Sequence, residues 1–204
     1  MITIGIELNH VIRNVNKQIL RYYQKEYDPS LDIDELDDRC DVVKEYTDFK
    51  SKKEKYDFMY IDYPYEIFGC APTSEKGLQD KITNWLYKID DIEDEEIRIV
   101  FYSLNEEALT IQSTFFFLSK IGTRVRKVVF PKSVKEVWDE CDFVITANNQ
   151  FFECDRPEYR KIVLINREFN KDERDKVLLN YDNLSDIIND NNFFKRIIDE
   201  KRGD

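Results

Sequence analysis

Glu7, Asn9 and His10 place a carboxylate, an amide and the chain's single histidine within four residues, directly after an apolar run. A carboxylate can attack an electrophile or carry a proton, and an imidazole titrates near neutrality, so acid–base or nucleophilic chemistry can be built from these types. Three other stretches have similar character: Ser103-Leu104-Asn105, Lys132 with Lys135, and Thr146-Ala147-Asn148-Asn149. Each follows a run of strand character. The carboxyl ends of parallel strands share one edge, and an open α/β sheet does its chemistry there.

The elements that would position these residues can be read from periodicity. Ile2 to Leu8 is apolar at every second position and reads as a buried strand, and a helical stripe follows from about Val11 to Tyr27. Helices are expected over Thr73–Ile89, Asn105–Ile121, Ser133–Cys141 and, as one piece, Leu184–Lys201, with Ala108, Ile111, Phe115 and Leu118 inward on the second of these. Strands are expected over Ile97–Ser103, Val125–Phe130, Asp142–Ala147, Lys161–Asn166 and Val177–Tyr181. This alternation indicates an α/β fold with a parallel sheet flanked by helices and right-handed crossovers. Residues 29–96 break the alternation. They are expected to form a small, mainly helical cap insertion and an acidic linker, leaving 1–28 and 97–204 as the core.

Composition narrows the function classes. With 42 acidic and 31 Lys plus Arg residues among 204, the net charge is -11, which argues against unaided nucleic-acid binding. No apolar run approaches the roughly 20 residues of a membrane span. The N-terminal residues enter a strand directly, without the basic region or cleavage site of a secretory signal, so a cytoplasmic setting is expected. One histidine and four cysteines (Cys40, Cys70, Cys141 and Cys154) with no CxxC pair leave no zinc pattern and suggest reduced thiols.

The order and contexts of the strand-end residues resemble the haloacid dehalogenase (HAD) phosphohydrolase superfamily, nearest to its small-capped 5'-nucleotidase-like members. That family's first motif, a hydrophobic strand followed by Asp, any residue, Asp, Gly and Thr or Val, corresponds to Ile4-Gly5-Ile6-Glu7-Leu8-Asn9-His10-Val11. Its Ser or Thr after a strand corresponds to Ser103, its lysine to Lys132 or Lys135, and its strand closing on paired acids to the stretch ending at Thr146 and Ala147. The resemblance implies a HAD-like, Rossmannoid sheet with a cap. In family members the first aspartate becomes the acyl phosphate, the second moves the proton, and the later acids hold magnesium.

Here the key acids are altered. Glu7 stands at the nucleophile position with an extra methylene, and a misplacement of roughly 1 Å already costs about 100-fold in a positioned reaction. Asn9 cannot shuttle a proton at neutral pH, His10 replaces the glycine, and Thr146 and Ala147 replace the metal-holding acids. Glu7, Asn9, Ser103, Lys132, Lys135, Thr146 and Ala147 therefore read as vestigial positions, with no catalytic residue and no metal expected. Glu7 and His10 remain a candidate repurposed pair, provided the strand ends at Leu8, because strand parity otherwise separates them. Asn105 is expected to cap the helix after Ser103, and Glu106 and Glu107 to place negative charge at its start.

Aromatic residues supply the other candidate. Tyr56 to Gly69 is the most aromatic stretch, Phe115-Phe116-Phe117 is contiguous within a helix, and Phe151-Phe152 follows the last vestigial position. Tyr60, Tyr63, Tyr65, Phe68, Phe151 and Phe152 are candidates for an interaction surface, since tyrosine joins a large apolar area to a polar tip. The alternative is that these rings pack the insertion onto the sheet.

The sequence thus favours a catalytically inactive HAD-like protein acting as a structural or protein-interaction subunit without cofactor. Its partner would be a protein, with a basic face complementing the acidic chain, and a homo-oligomer fits equally. A divergent Mg-dependent phosphatase or 5'-nucleotidase is the alternative, and a phosphometabolite or nucleotide sensor the third. Abundant Asn, Ile, Lys and Tyr fit an AT-rich genome, such as a low-GC bacterium or its phage, where a virion or assembly role is natural.

Overall fold

In the computed structural model, which describes residues 1–90, 97–122, 126–155 and 157–203, six parallel strands form one sheet in the order β3-β2-β1-β4-β5-β6. The strands are β1 (Ile2–Glu7), β2 (Ile97–Tyr102), β3 (Val128–Val129), β4 (Phe143–Thr146), β5 (Ile162–Ile165) and β6 (Leu179–Tyr181). The fold is α/β with Rossmann-like topology. β1 lies between β2 and β4, with Ile6 in register with Phe101 on one side and Ile145 on the other. The strand order reverses at the β1–β4 boundary, so the crevice for a ligand opens beyond Glu7 and Thr146.

The helices are α1 (Val15–Glu26), α2 (Val42–Tyr46), α3 (Lys52–Asp57), α4 (Leu78–Asp90), α5 (Ala108–Ile121), α6 (Val134–Glu140), α7 (Leu184–Asn189) and α8 (Phe193–Arg202). Two π-helical turns, Phe58–Asp62 and Tyr65–Gly69, continue from α3. Alternation along each strand separates two cores. Ile2, Ile4 and Ile6 face Trp85 of α4, Phe117 of α5 and Phe193 of α8 on one side. Val100, Tyr102, Val144 and Leu164 face Val137 of α6 and Phe151 on the other. A third core joins Val15, Ile19, Leu20 and Tyr23 of α1 to Val42, Phe58, Met59, Ile67 and Phe68. By packing, then, α1 sides with the insertion and α4 with the sheet.

Several elements differ from expectation for local reasons. α1 begins at Val15, where the Asn14 side chain accepts from the Lys17 amide at 2.9 Å, and not at Val11. The expected final helix is two helices: Asp190 is extended, and its carboxylate accepts from the Asn192 amide, the Tyr181 hydroxyl and Arg196. α5 starts at Ala108 with Glu107 as its cap, its amide donating to Thr110 Oγ1 at 2.9 Å, while Asn105 takes a left-handed turn at φ 59° and caps nothing. The inward face of α5 also differs: Phe117, Leu118 and Ile121 are buried, while Ala108, Phe115 and Phe116 are exposed and Ile111 is half-buried. Residues 91–96 of the expected acidic linker and Val125 of an expected strand lie outside the described residues.

Candidate functional site

The loop after β1 sets the site. His10 lies in the left-handed region at φ 63°, and the amides of Ile12 and Arg13 both donate to the Leu8 carbonyl, at 3.0 and 2.9 Å. Glycine reaches positive φ without steric penalty, whereas histidine adopts it with some strain. The tight turn carries Arg13 back beneath Asn9.

Arg13 is the largest fully buried side chain among the described residues, at 0% exposure, and it organises the pocket beyond β1 and β2. Its Nε donates to Asn9 Oδ1 at 2.6 Å and its Nη1 to Thr114 Oγ1 at 2.6 Å. Nη2 donates to Ser103 Oγ at 3.3 Å and pairs with the carboxylate of Glu106, which is 2% exposed. Ser103 Oγ and Thr114 Oγ1 also donate to Glu106 Oε1, at 2.7 and 2.9 Å. Lys132 Nζ donates to the Glu106 backbone carbonyl. The structure therefore gathers Asn9, Ser103 and Lys132 around an internal salt bridge. Lys135 stays on the exposed side of α6 and has no part in it. Burial pulls the Arg13 guanidinium down from its ordinary value, and the Glu106 charge opposes that pull.

Glu7 is separate from this network. Its Oε2 accepts from Thr146 Oγ1 at 2.6 Å and from the Ala147 amide at 3.1 Å, and Oε1 from Asn148 Nδ2 at 3.5 Å. Burial raises its pKa to about 7, against the lowering effect of these donors. His10 is pushed down to about 4, first by burial and then by the charges of Arg167 and Arg13, so its ring is neutral at pH 7. Glu7, Asn9 and His10 line one cleft of about 540 Å³ between the sheet edge and the insertion, walled also by Asp41, Tyr60 and Asn148. Glu7 and His10, the candidate pair, thus share a cleft, although no hydrogen bond between them is found among the described residues.

Magnesium does not fit this arrangement. Thr146, the Ala147 amide and Asn148 direct hydrogens, not lone pairs, at Glu7, and no group of three or more His, Cys, Asp or Glu able to hold a metal occurs among the described residues. A hard cation prefers several oxygen ligands, and the Glu7 carboxylate is already satisfied by donors.

The aromatic candidates divide. Phe68 and Phe151 are fully buried, Phe68 in the insertion core and Phe151 under Trp138 and Tyr102, so neither is available to a partner. Tyr60, Tyr63 and Phe152 are half-buried by ring contacts to Tyr56, Tyr22 and Tyr159. Tyr65 is 47% exposed and packs on Phe116, 43% exposed, with ring centroids 5.0 Å apart.

Arg13 is the residue that sequence reasoning passed over. The signal was an arginine inside the apolar run Val11-Ile12-Arg13-Asn14-Val15, where burial obliges a partner. That partner, Glu106, lies 93 residues away. Fold and site together define an α/β protein of Rossmann-like topology whose strand-end crevice holds an internal ion pair. Among known proteins, the chain matches no family model and no curated sequence. Among the described residues, no helix is long and apolar enough to cross a membrane.

Proposed function

We propose that this is a HAD-like protein that has lost phosphohydrolase chemistry and works as a structural or protein-interaction subunit. The observation that carries the reading is Arg13. Its guanidinium occupies the hydrogen-bonding groups, Asn9 and Ser103, that would receive a phosphoryl group, and it brings Glu106, whose negative charge repels one. Opening the pocket would require breaking a buried ion pair, which costs on the order of 3–5 kcal/mol once one partner is left uncompensated. Glu7 is tied down by Thr146 and Ala147, and Asn9, an amide that cannot shuttle a proton at neutral pH, stands where the proton-moving acid would be.

A binding role is supported by the exposed aromatic face of α5 and the adjoining turn. Leu109 and Phe116, seven residues apart, share one side of the helix, and the Tyr65 ring packs at a tilt against Phe116. Exposed apolar rings in contact, as Tyr65 and Phe116 are, support an interaction site. The net charge of -11 favours a partner with a basic face.

Two measurements test the proposal. Incubated with Mg²⁺ and a panel of nucleotides and sugar phosphates, the protein should release no phosphate above background; turnover abolished by Glu7→Gln would overturn the inactive reading. Affinity capture from the native host, followed by light scattering on the isolated complex, should give a defined assembly that Tyr65→Ser/Phe116→Ser disrupts. A strictly monomeric chain with no stable partner would overturn the interaction reading.

A further inference from the structure

A second hollow opens at the carboxyl edge of the sheet, with His10 as a wall shared with the cleft beside Glu7. It holds about 410 Å³ and is lined by five cations: Lys17 and Arg21 of α1, Arg39, Lys76, and Arg167 just past β5. Two acids, Asp38 and Glu75, also line it, leaving three positive charges in excess within a chain of net charge -11. Neither acid forms an ion pair with a described cation there, although the charges of Asp38 and Glu75 partly offset that of Arg167. Asp38 Oδ2 accepts from Asn14 Nδ2 at 2.7 Å, and Glu75 Oε1 accepts from the Ser185 amide at 3.1 Å. None of the five cations forms an ion pair with a described residue, although lysines and arginines elsewhere do so repeatedly.

Two of these cations are held against each other. Arg39 Nη2 donates to the carbonyls of Asn166 and Asp182, both at 3.3 Å, and Arg167 Nη1 donates to the same two carbonyls at 2.7 and 3.3 Å. Arg167 is only 9% exposed and donates also to the His10 carbonyl. Burial, and then the charge of Arg39, hold Arg167 down at about 10. Two like charges converging on neutral carbonyls, one of them buried, form an arrangement that an anion would relieve. Paired guanidinium groups present N–H donors in the geometry that phosphate oxygens accept.

We propose that this hollow binds a small molecule carrying a phosphate or diphosphate group, seated on Arg39 and Arg167 and flanked by Lys17, Arg21 and Lys76. The volume lies within the roughly 300–1,000 Å³ of small-molecule sites. The acidity of the whole chain disfavours nucleic acid as occupant. The proposal does not depend on the reading of the Arg13 network, since Arg13, Ser103 and Glu106 are not part of this hollow.

The test is calorimetric titration of the full chain with pyrophosphate and with AMP, using adenosine as the uncharged control, alongside thermal melting. Pyrophosphate and AMP should bind saturably at one site and raise Tm, and adenosine should do neither. Arg39→Gln should weaken binding by about tenfold or more, as expected for loss of a charge-assisted contact, while raising the Tm of the free protein by relieving repulsion on Arg167. Lys17→Ser, on a half-buried helix position, should weaken binding as well and serves if Arg39→Gln does not fold. Absence of saturable binding at millimolar pyrophosphate and AMP would overturn the proposal. So would binding that resists both variants but is lost in Ser103→Ala, or a poly-glutamate peptide that binds more tightly than pyrophosphate.

Discussion

At the scale of single residues, Arg13 and Glu106 decide what the crevice can do. Removing one member of a buried pair strands the other charge in a low-dielectric interior, so Arg13→Ala is expected to cost about 3–5 kcal/mol in urea-derived stability. Arg13→Ala/Glu106→Ala should cost clearly less than the sum of the single changes, because neither charge remains; strict additivity would show that the pair is not coupled. Glu7 and His10 make a second prediction. Between its ordinary value of 4.5 and its folded value of about 7, Glu7 keeps in the folded state a proton that the unfolded chain has released, so stability falls as pH rises. Between about 4 and its ordinary 6.5, His10 is neutral when folded and protonated when unfolded, so stability rises with pH. The two slopes oppose each other across the overlap. Urea midpoints of Glu7→Gln should climb from about pH 4 to 6.5, and those of His10→Gln should fall from about pH 4.5 to 7, each by at most ~1.4 kcal/mol per pH unit. Profiles parallel to the wild type in both variants would refute the assignment.

At the scale of elements, the sheet was legible because buried parallel strands are short apolar runs between helical stripes, and β1, β2, β4 and β5 each come within two residues of the expected bounds at either end. The site was legible in part. Strand-end reasoning located Glu7, Ser103, Lys132 and Thr146, since position at a strand end depends only on local pattern. It missed the phase of α5, because the inward face of that helix carries Thr110, Ser113 and Thr114 and a hydrophobic stripe fitted to Phe115 turns the helix the wrong way. Those polar residues are buried, and Thr114 meets Arg13, a partner 101 residues distant in sequence that leaves no periodic signal. The break between α7 and α8 was hidden for a similar reason: it depends on Asp190 meeting Tyr181 and Arg196. One contact between elements gives a further prediction. A Cβ at Gly5 of β1 would lie 2.7 Å from Cys141 Sγ at the end of α6 and 3.2 Å from the Tyr102 ring. Gly5→Ala should therefore destabilise by about 1–3 kcal/mol through overpacking. Cys141→Ala should recover part of that loss in the double variant, and no recovery would place the clash on Tyr102 instead.

At the scale of the whole molecule, the insertion core and one sheet core meet at one polar knot. Sheet and insertion bury largely separate side chains, and α3 buries none. Arg13 spans the division, because its Nη1 donates to the Phe68 carbonyl of the insertion at 3.3 Å and to Thr114 of α5 while Nη2 reaches Ser103 beyond β2. Its guanidinium also lies 5.1 Å from the Phe68 ring centroid and 5.8 Å from that of Phe117, one ring in the insertion core and the other in a sheet core. Local opening follows the density of buried contacts, so native-state hydrogen exchange should be slowest in β1, β4 and β5 and faster across α2 and α3. The bridging role makes a sharper demand. In Arg13→Met, amides of Phe58–Asp62 and Tyr65–Gly69 should lose more protection than those of β4 and β5, because the link to the sheet is cut while the sheet's own ladders remain. A uniform loss across sheet and insertion would mean that Arg13 stabilises the molecule only globally, and that the insertion is held by its apolar contacts alone.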